Sequence, residues 1–406
     1  MRILFFATYP TCATGYGRIG NILSNYLAKE GHDVFYLGIS NFEYCSTERY
    51  IHPSITLLDA LKKRKPDSHE LYGIDCIVDT IAETKPDVVF IYNDIIVVNR
   101  ILNEFIETNI SKNFKLIIYL DLVYEYEKLI LFKNINIWAD ELFLFSNCWK
   151  NNLIKIGFKE DKLFVVPHGI DTTIFKPVYQ PFAKQMIGFK EDDFIILNTN
   201  RNCYRKAIDI TVEAFIKFLK KYEYDDKLKL FLNMDSPAEH GYNILDLIKV
   251  MSMKNDADFD KIIAKHIFTK NSMKYFSDEK LNELYNACDV GINTCVGEGF
   301  GLCNLEHACV GKPQIVSKVG ALADIVDNSY STLVEPKIDL YLSNNMEEHV
   351  GFIQLCDSND FANAIEKYYL DRTLGKEHGD LAMHTLVEKY NWSKILSSMN
   401  ERITRF

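Results

Sequence analysis

No stretch of this sequence is long and apolar enough to cross a bilayer. The apolar opening Met1–Ala7 stops at Thr8-Tyr9-Pro10, too early for a secretory leader or a spanning helix, so a cytoplasmic location is expected, with surface attachment to a membrane left open. Basic charge is not in excess. Lys and Arg number 46 against 56 Asp and Glu, a net charge of −10, which argues against a general nucleic-acid binder. The ten cysteines contain no Cys-x-x-Cys pair and no paired metal-ligand spacing. Reduced thiols are the simplest reading, with Cys288, Cys295, Cys303 and Cys309 at core-like positions. No Asp-x-Asp motif or His/Asp cluster is read as marking a divalent-ion site, Asp192-Asp193 being read as a surface turn. Internal repeats and low-complexity tracts are missing as well.

What is present is ordinary globular composition, 48% hydrophobic and 25% charged, over 406 residues, enough for two or three domains. Short apolar runs alternate with longer amphipathic segments from end to end, which predicts βα units and parallel sheets. Strands are expected at Ile3–Ala7, Val34–Leu37, Val88–Tyr92, Leu116–Leu120, Leu142–Phe145 and Leu163–Val166. Helices are expected near 18–30, 74–84, 96–108 and 147–156, with Lys85-Pro86-Asp87 punctuating one unit. After the proline-bearing stretch from Phe175 to Pro181 a second series begins. Its strands are Ile195–Thr199, Leu228–Asn233, His266–Phe268, Val290–Asn293, Gln314–Ser317 and Thr332–Val334. Two such blocks predict two doubly wound domains with a cleft between them, and ligands of such sheets lie at the carboxyl ends of strands.

The most telling segment follows Val290. It reads Gly291-Ile292-Asn293-Thr294, then Glu298-Gly299-Phe300-Gly301-Leu302, then Glu306-His307-Ala308 and Gly311-Lys312-Pro313-Gln314-Ile315-Val316. A buried-type strand enters a glycine-rich loop, and the loop leads into a helix. A helix start preceded by glycines is a ready anion site. The carboxylates of Glu298 and Glu306 repel phosphate but suit hydroxyls that donate hydrogen bonds. A ligand combining phosphate with many hydroxyls is a nucleotide sugar.

Glu298 and Glu306 stand at the spacing of the Glu-x7-Glu signature, and the segment resembles the retaining glycosyltransferases of family 4, which have the GT-B fold. The resemblance is strongest over 163–335, good over 1–40, and weak over 41–115 and 336–385. It implies two Rossmann-like doubly wound domains facing each other across a cleft. Residues 1–172 would form an acceptor-side domain, joined by a C-terminal helix at about 388–406. That helix is opened by Tyr390-Asn391-Trp392-Ser393 and on sequence alone could equally cap the other domain. Residues 173–387 would bind the nucleotide sugar.

The activity implied is transfer of a sugar, with retention of configuration and without a metal, from a nucleoside diphosphate sugar such as a UDP- or GDP-sugar. The receiver is a hydroxyl of a glycan, lipid-linked or small-molecule acceptor. No other cofactor is implied. A nucleotide-sugar-binding subunit with little catalysis and a GT-B-fold epimerase are the alternatives. Which sugar, base and acceptor are used is not legible.

The resemblance also assigns residues. Glu298 and the backbone of Gly299, Phe300, Gly301 and Leu302 hold the sugar and nearby phosphate, and Glu306 takes ribose hydroxyls. Arg201 and Lys206, after the strand ending Asn198-Thr199-Asn200, grip the diphosphate, with Arg205 an ambiguous substitute for either. Fixed cations there stabilise the charge left on the phosphates. Thr269, in Phe268-Thr269-Lys270, falls where backbone groups read the base.

In the first domain, Gly15-Tyr16-Gly17-Arg18-Ile19-Gly20 is a literal G-x-G-x-x-G, which on its own suggests dinucleotide binding. Six residues, Tyr9 to Thr14, separate it from the strand, and no acid follows Leu37-Gly38, so that reading is set aside. The family resemblance instead gives Gly15 and Gly17 a place beside the donor diphosphate, letting the first domain close over it. Pro167-His168-Gly169-Ile170-Asp171 matches the family's interdomain segment, which makes His168 a linker residue. Many members place a histidine where this chain has Leu120, followed by Asp121. Either Asp121 or Asp94, at the neighbouring strand tip, is expected to replace it, or turnover is slow or lost. Lys62-Lys63-Arg64-Lys65 reads as a solvated charge run, with contact to anionic lipid as the rival reading.

Overall fold

The computed structural model describes residues 1–42, 46–65, 68–70, 72–236, 241–270, 276–342 and 351–405. The chain forms two compact units. The first comprises Met1–His168, Leu342–Phe352 and Trp392–Phe406, and the second Gly169–Tyr341 and Ile353–Asn391.

The first unit is built on seven parallel strands. They are β1 (Arg2–Thr8), β2 (Asp33–Ile39), β3 (Thr56–Asp59), β4 (Val88–Asp94), β5 (Lys115–Asp121), β6 (Glu141–Leu144) and β7 (Leu163–Val165). Their order is β3-β2-β1-β4-β5-β6-β7, with all neighbours parallel. β1, β4 and β5 are apolar through their interiors and fully buried, as expected of strands covered on both faces. β3 was not among the expected strands. Its residues, Thr-Leu-Leu-Asp, form a half-buried edge, so no long apolar run announces it.

The order reverses between β1 and β4, where helices 15–29 and 95–107 begin. The first of these starts at Gly15, earlier than expected, because the Thr14 hydroxyl accepts from Gly17 N at 3.0 Å and caps it. The glycines of the G-x-G-x-x-G therefore lie in helical turns, not in a loop. A Cβ on Gly17 would come within 2.4 Å of the Cys12 carbonyl, so close backbone packing accounts for that glycine. The C-terminal helix Trp392–Ile403 belongs to this unit, with Asn400 bonded to His32 at 2.8 Å and Arg402 to Glu141 at 2.7 Å.

The second unit has six parallel strands. They are β8 (Phe194–Asn198), β9 (Leu228–Leu232), β10 (Ile267–Thr269), β11 (Val290–Asn293), β12 (Gln314–Ser317) and β13 (Thr332–Val334), in the order β10-β9-β8-β11-β12-β13. Its core joins Ile196, Val212, Phe215, Leu230, Ile292, Ile315 and Phe361, among others. β8 and β11 are neighbours although three strands apart in sequence, so the reversal point of this sheet lies between their carboxyl ends. That is where such sheets take ligands.

Among the described residues no helix is long and apolar enough to cross a membrane, and the described cysteines are free. One sequence reading needs amending: Asp256, Asp258 and Asp260 do contain Asp-x-Asp spacings. All three are exposed: Asp258 caps helix 259–265, accepting from Lys261 N at 3.0 Å, and Asp260 lies in the first turn of that helix. Asp193, read as surface, is buried and accepts from Lys190 N at 2.8 Å.

Candidate functional site

The turn after β8 and the loop after β11 are stitched together by hydroxyls and amides. Thr294 Oγ1 donates to the Ala207 carbonyl at 2.8 Å and lies 2.7 Å from Thr211 Oγ1, which accepts from Asn198 Nδ2 at 3.0 Å. Val296 N adds a bond to the Arg205 carbonyl at 3.0 Å. Ala207 takes a left-handed backbone, φ +44°, a conformation that costs a side-chain-bearing residue energy and persists only when its surroundings enforce it. These bonds hold the short turn Tyr204–Lys206 over the loop that carries Glu298.

Lys206 and Glu298 meet there as a buried ion pair, 6% and 7% exposed. Asn293 Nδ2 lies 3.4 Å from the same carboxylate oxygen, and donates to Asn304 Oδ1 at 2.8 Å. Arg205 donates to the Gly297 carbonyl at 2.5 Å and stands 3.8 Å from the other Glu298 oxygen. Burial works against both charges. For Glu298 the neighbouring Lys206 and Arg205 outweigh it and hold the carboxyl below its usual pKa. For Lys206 the adjacent Glu298 outweighs it and holds the ammonium above its usual pKa. With Arg205, Lys206 and Glu298 all ionised, the cluster keeps one net positive charge, which suits an anionic ligand.

Glu298-Gly299-Phe300-Gly301 leads into helix 302–309. Gly301 is its N-cap at φ +99°, with no side-chain cap. The leading N–H groups of a helix have no acceptor within it and carry the positive end of its dipole. Glu306 lies in the same helix, 3% exposed, and accepts from Tyr285 Oη at 3.0 Å. Tyr285 stacks on His307, centroids 5.0 Å apart, and burial pushes His307 down to about 3, so that ring is neutral. Burial also pushes the Cys303 thiol up to about 12 and Cys295 higher, which keeps them protonated.

Of the residues singled out from sequence, Lys206, Glu298, Gly299, Phe300, Gly301, Leu302 and Glu306 lie within this one arrangement. Arg201 follows β8 but its side chain is exposed, and the guanidinium beside Glu298 is that of Arg205. Thr269 ends the edge strand β10, at the carboxyl edge of the same sheet, followed by Lys270, paired to Asp235 at 2.9 Å. Sequence reasoning missed Tyr285, Asn293 and Thr294. All three are fully buried; Asn293 and Thr294 close the apolar run from Val290, and a polar pair there is a signal, whereas Tyr285 sits in the polar helix 278–287 and gives none.

In the first unit the two candidate aspartates separate. They sit side by side at the tips of β4 and β5. Asp94 Oδ1 accepts from Ile96 N and Val97 N at 2.9 Å each and caps helix 95–107. Asp121 Oδ2 accepts from Tyr16 Oη at 2.5 Å, and Tyr16 stacks on Tyr92. Burial, then Asp121 and Asp94, raise the Tyr16 pKa well above the ordinary tyrosine value, so Tyr16 stays a hydrogen-bond donor. Asp94→Ala is expected to cost about 1 kcal/mol of stability, while Asp94→Asn, an equally good cap, keeps most of it. Urea unfolding of both variants checks this.

His168 is 2% exposed and pushed down to about 3, by burial and then by Arg18. Tyr119 Oη donates to the Val166 carbonyl at 2.6 Å, so the 3.0 Å contact to His168 Nδ1 has the imidazole N–H as donor. Lys62 and Lys63 lie near Asp59 and Glu83, at 3.9 and 2.8 Å.

Known proteins share this sequence pattern and this architecture. Residues 180–349 match the family model described as glycosyl transferases group 1. A D-inositol 3-phosphate glycosyltransferase of Stackebrandtia nassauensis is 26% identical over 216 residues, 52% of this chain and 42% of that protein. An uncharacterized glycosyltransferase of Methanocaldococcus jannaschii is 26% identical over 225 residues, 52% of each chain. The aligned stretch thus spans about half the length of these two relatives. Among solved structures, a sucrose-phosphate synthase from Thermosynechococcus elongatus is similar with TM-score 0.77 at 17% identity, covering 100% of this chain and 98% of that one. Anabaena HepE, in complex with UDP and glucose, is similar with TM-score 0.72 at 14% identity, covering both chains fully. The fold is GT-B.

Proposed function

We propose, for a GT-B chain whose residues 180–349 match the group 1 glycosyl transferase model, that it moves a sugar from a nucleoside diphosphate sugar to an acceptor hydroxyl with retention of configuration. The observation that carries this is the Lys206–Glu298 pair with Arg205 beside it, at the reversal point of the second sheet and next to the start of helix 302–309. Breaking the bond between sugar and diphosphate leaves negative charge on the phosphate oxygens. Lys206, Arg205 and the helix N–H groups stabilise that charge in place, and Arg201 adds to it from the loop. Glu298 accepts hydrogen bonds from the sugar, and Glu306, held by Tyr285, accepts them from the ribose. Gly299, Phe300 and Leu302 supply backbone to the phosphate, and Thr269 lies where the base is read. Within the first unit, Asp121 with Tyr16 is assigned a polar group of the acceptor, while Gly17, accounted for by packing on Cys12, is assigned no step. The leaving phosphate itself takes the acceptor proton.

Support comes also from HepE, solved with UDP and glucose, and from a trehalose-6-phosphate protein of E. coli, solved with UDP-2-fluoro glucose, which share the fold. A thermal-shift screen of nucleoside diphosphates and their sugars, followed by turnover assays, tests the reading. A specific donor is expected to raise Tm by mass action. Transfer is expected to survive a chelator, since protein cations carry the leaving charge. Stabilisation by no nucleotide sugar, or loss of turnover restored only by a divalent ion, would contradict it.

A further inference from the structure

The loop after β5 ends at Lys128, which is 7% exposed, with an Nζ that is buried and has no hydrogen-bond partner among the described residues. An ammonium removed from water without a counter-group is among the most costly things a fold can hold, so such a group asks for an explanation. Lys128 is also the N-cap of the ten-residue helix 129–138. Its side chain makes no capping bond there, and the first turn carries no acid. The positive end of a helix favours an anion and disfavours a lysine. Glu127, the adjacent acid, is turned to the loop's own backbone, accepting from Val123 N at 2.8 Å and Tyr124 N at 3.2 Å. Just before it, Tyr126 takes a left-handed backbone, φ +51°, the kind of strain that gathers at ligand clamps.

Lys128 and this uncapped helix start adjoin in sequence, seven residues after Asp121 in the same loop. One class of ligand relieves both at once. We propose that Lys128 and the uncapped start of helix 129–138 form an anion site that receives a phosphate or carboxylate group of the acceptor. The word acceptor rests on the transferase reading above; the anion site does not.

The test uses the full chain and three probes that share a ring: glucose 6-phosphate, glucuronate and neutral glucose, at equal ionic strength. Either anion is expected to raise Tm by roughly 2–8 °C in the wild type and in Lys206→Met, and neutral glucose to raise it in neither. Lys128→Met and Lys128→Gln should lose that shift, two variants being used in case one folds poorly. Equal shifts with and without Lys128, or no shift with either anion, overturn the site. A shift lost in Lys206→Met and kept in Lys128→Gln assigns the anion to the second unit and likewise overturns it. Absence of transfer with every donor would sink the transferase reading while leaving these shifts interpretable. A lipid phosphate is the other source of this chemistry. Phosphatidylglycerol vesicles that co-sediment wild type and not Lys128→Gln assign the anion to a headgroup, and shifts confined to the soluble sugars assign it to a soluble acceptor.

Discussion

Lys206→Ala is expected to lower turnover by roughly 10²–10³-fold, the usual loss when one fixed charge partner of a transition state is removed. The same substitution strands Glu298 as a buried carboxylate, 7% exposed, with Arg205 at 3.8 Å and Asn293 Nδ2 at 3.4 Å left to offset it. Removing one member of a buried pair costs about 3–5 kcal/mol of stability, whereas replacing both by neutral groups of similar size is often neutral. The double variant Lys206→Met/Glu298→Gln should therefore recover stability in urea while turnover stays low. Recovery of both would make the pair a structural strut and remove it from the chemistry.

The pair has a pH signature with a definite sign. Glu298 has a lowered pKa in the fold, so its contribution is present above the unfolded value of about 4.3 and is lost as pH falls through the folded value. Lys206 has a raised one, so its contribution is complete below about 10.4 and is lost as pH rises through the folded value. Between these limits the stability difference between wild type and the double variant should be flat. A slope near neutrality would mean that one partner is not charged there.

How much of this could be read in advance depended on what the signal was. Strands such as Val88–Asp94 and Val290–Asn293 are buried on both faces, so sequence shows them as apolar runs. The half-buried edge strand Thr56–Asp59 shows nothing comparable. Glu298, Gly301 and Glu306 were visible because glycine and acid recur at a spacing that a loop and helix require. The preference for Arg205 over Arg201 beside Glu298 was not visible, since two arginines four apart in an irregular turn have no fixed facing. It is set by the Thr294 and Val296 bonds to the 205–207 backbone, which are long-range contacts. The two aspartates 94 and 121 look alike in sequence and differ only in partners. One faces its own helix and the other faces Tyr16, which is 105 residues away. Lys128 carries no signal in the sequence, because a lysine beside an apolar helix reads as solvated, and only burial reveals it.

Gly301→Ala is expected to destabilise the chain by about 2–5 kcal/mol, from two separable sources. Gly301 holds φ +99° and ψ 47°, a left-handed conformation that costs a residue with a Cβ roughly 1–2 kcal/mol. An added Cβ would also stand 2.6 Å from Leu322 Cδ2. Leu322 is fully buried, so its side chain has little room to retreat and overpacking of about 1–3 kcal/mol is added. Gly188 supplies the internal control. It lies in the same unit at φ +86°, and a Cβ added there would meet nothing within 4 Å, so Gly188→Ala should show the conformational cost alone. The excess of Gly301→Ala over Gly188→Ala in urea unfolding measures the contact with Leu322. Its functional consequence follows from position. The Gly301 carbonyl accepts from Asn304 N and Leu305 N at 3.1 Å each, so this residue sets where the first turn of helix 302–309 points its free N–H groups. Displacing that turn should weaken the nucleotide-sugar complex by roughly tenfold or more, since each 1.4 kcal/mol is a factor of ten in affinity. Gly188→Ala should leave donor affinity alone. Equal donor affinity in the two variants would show that the helix start takes no part in holding the diphosphate, and the phosphate would then have to be held by Lys206 and the arginines.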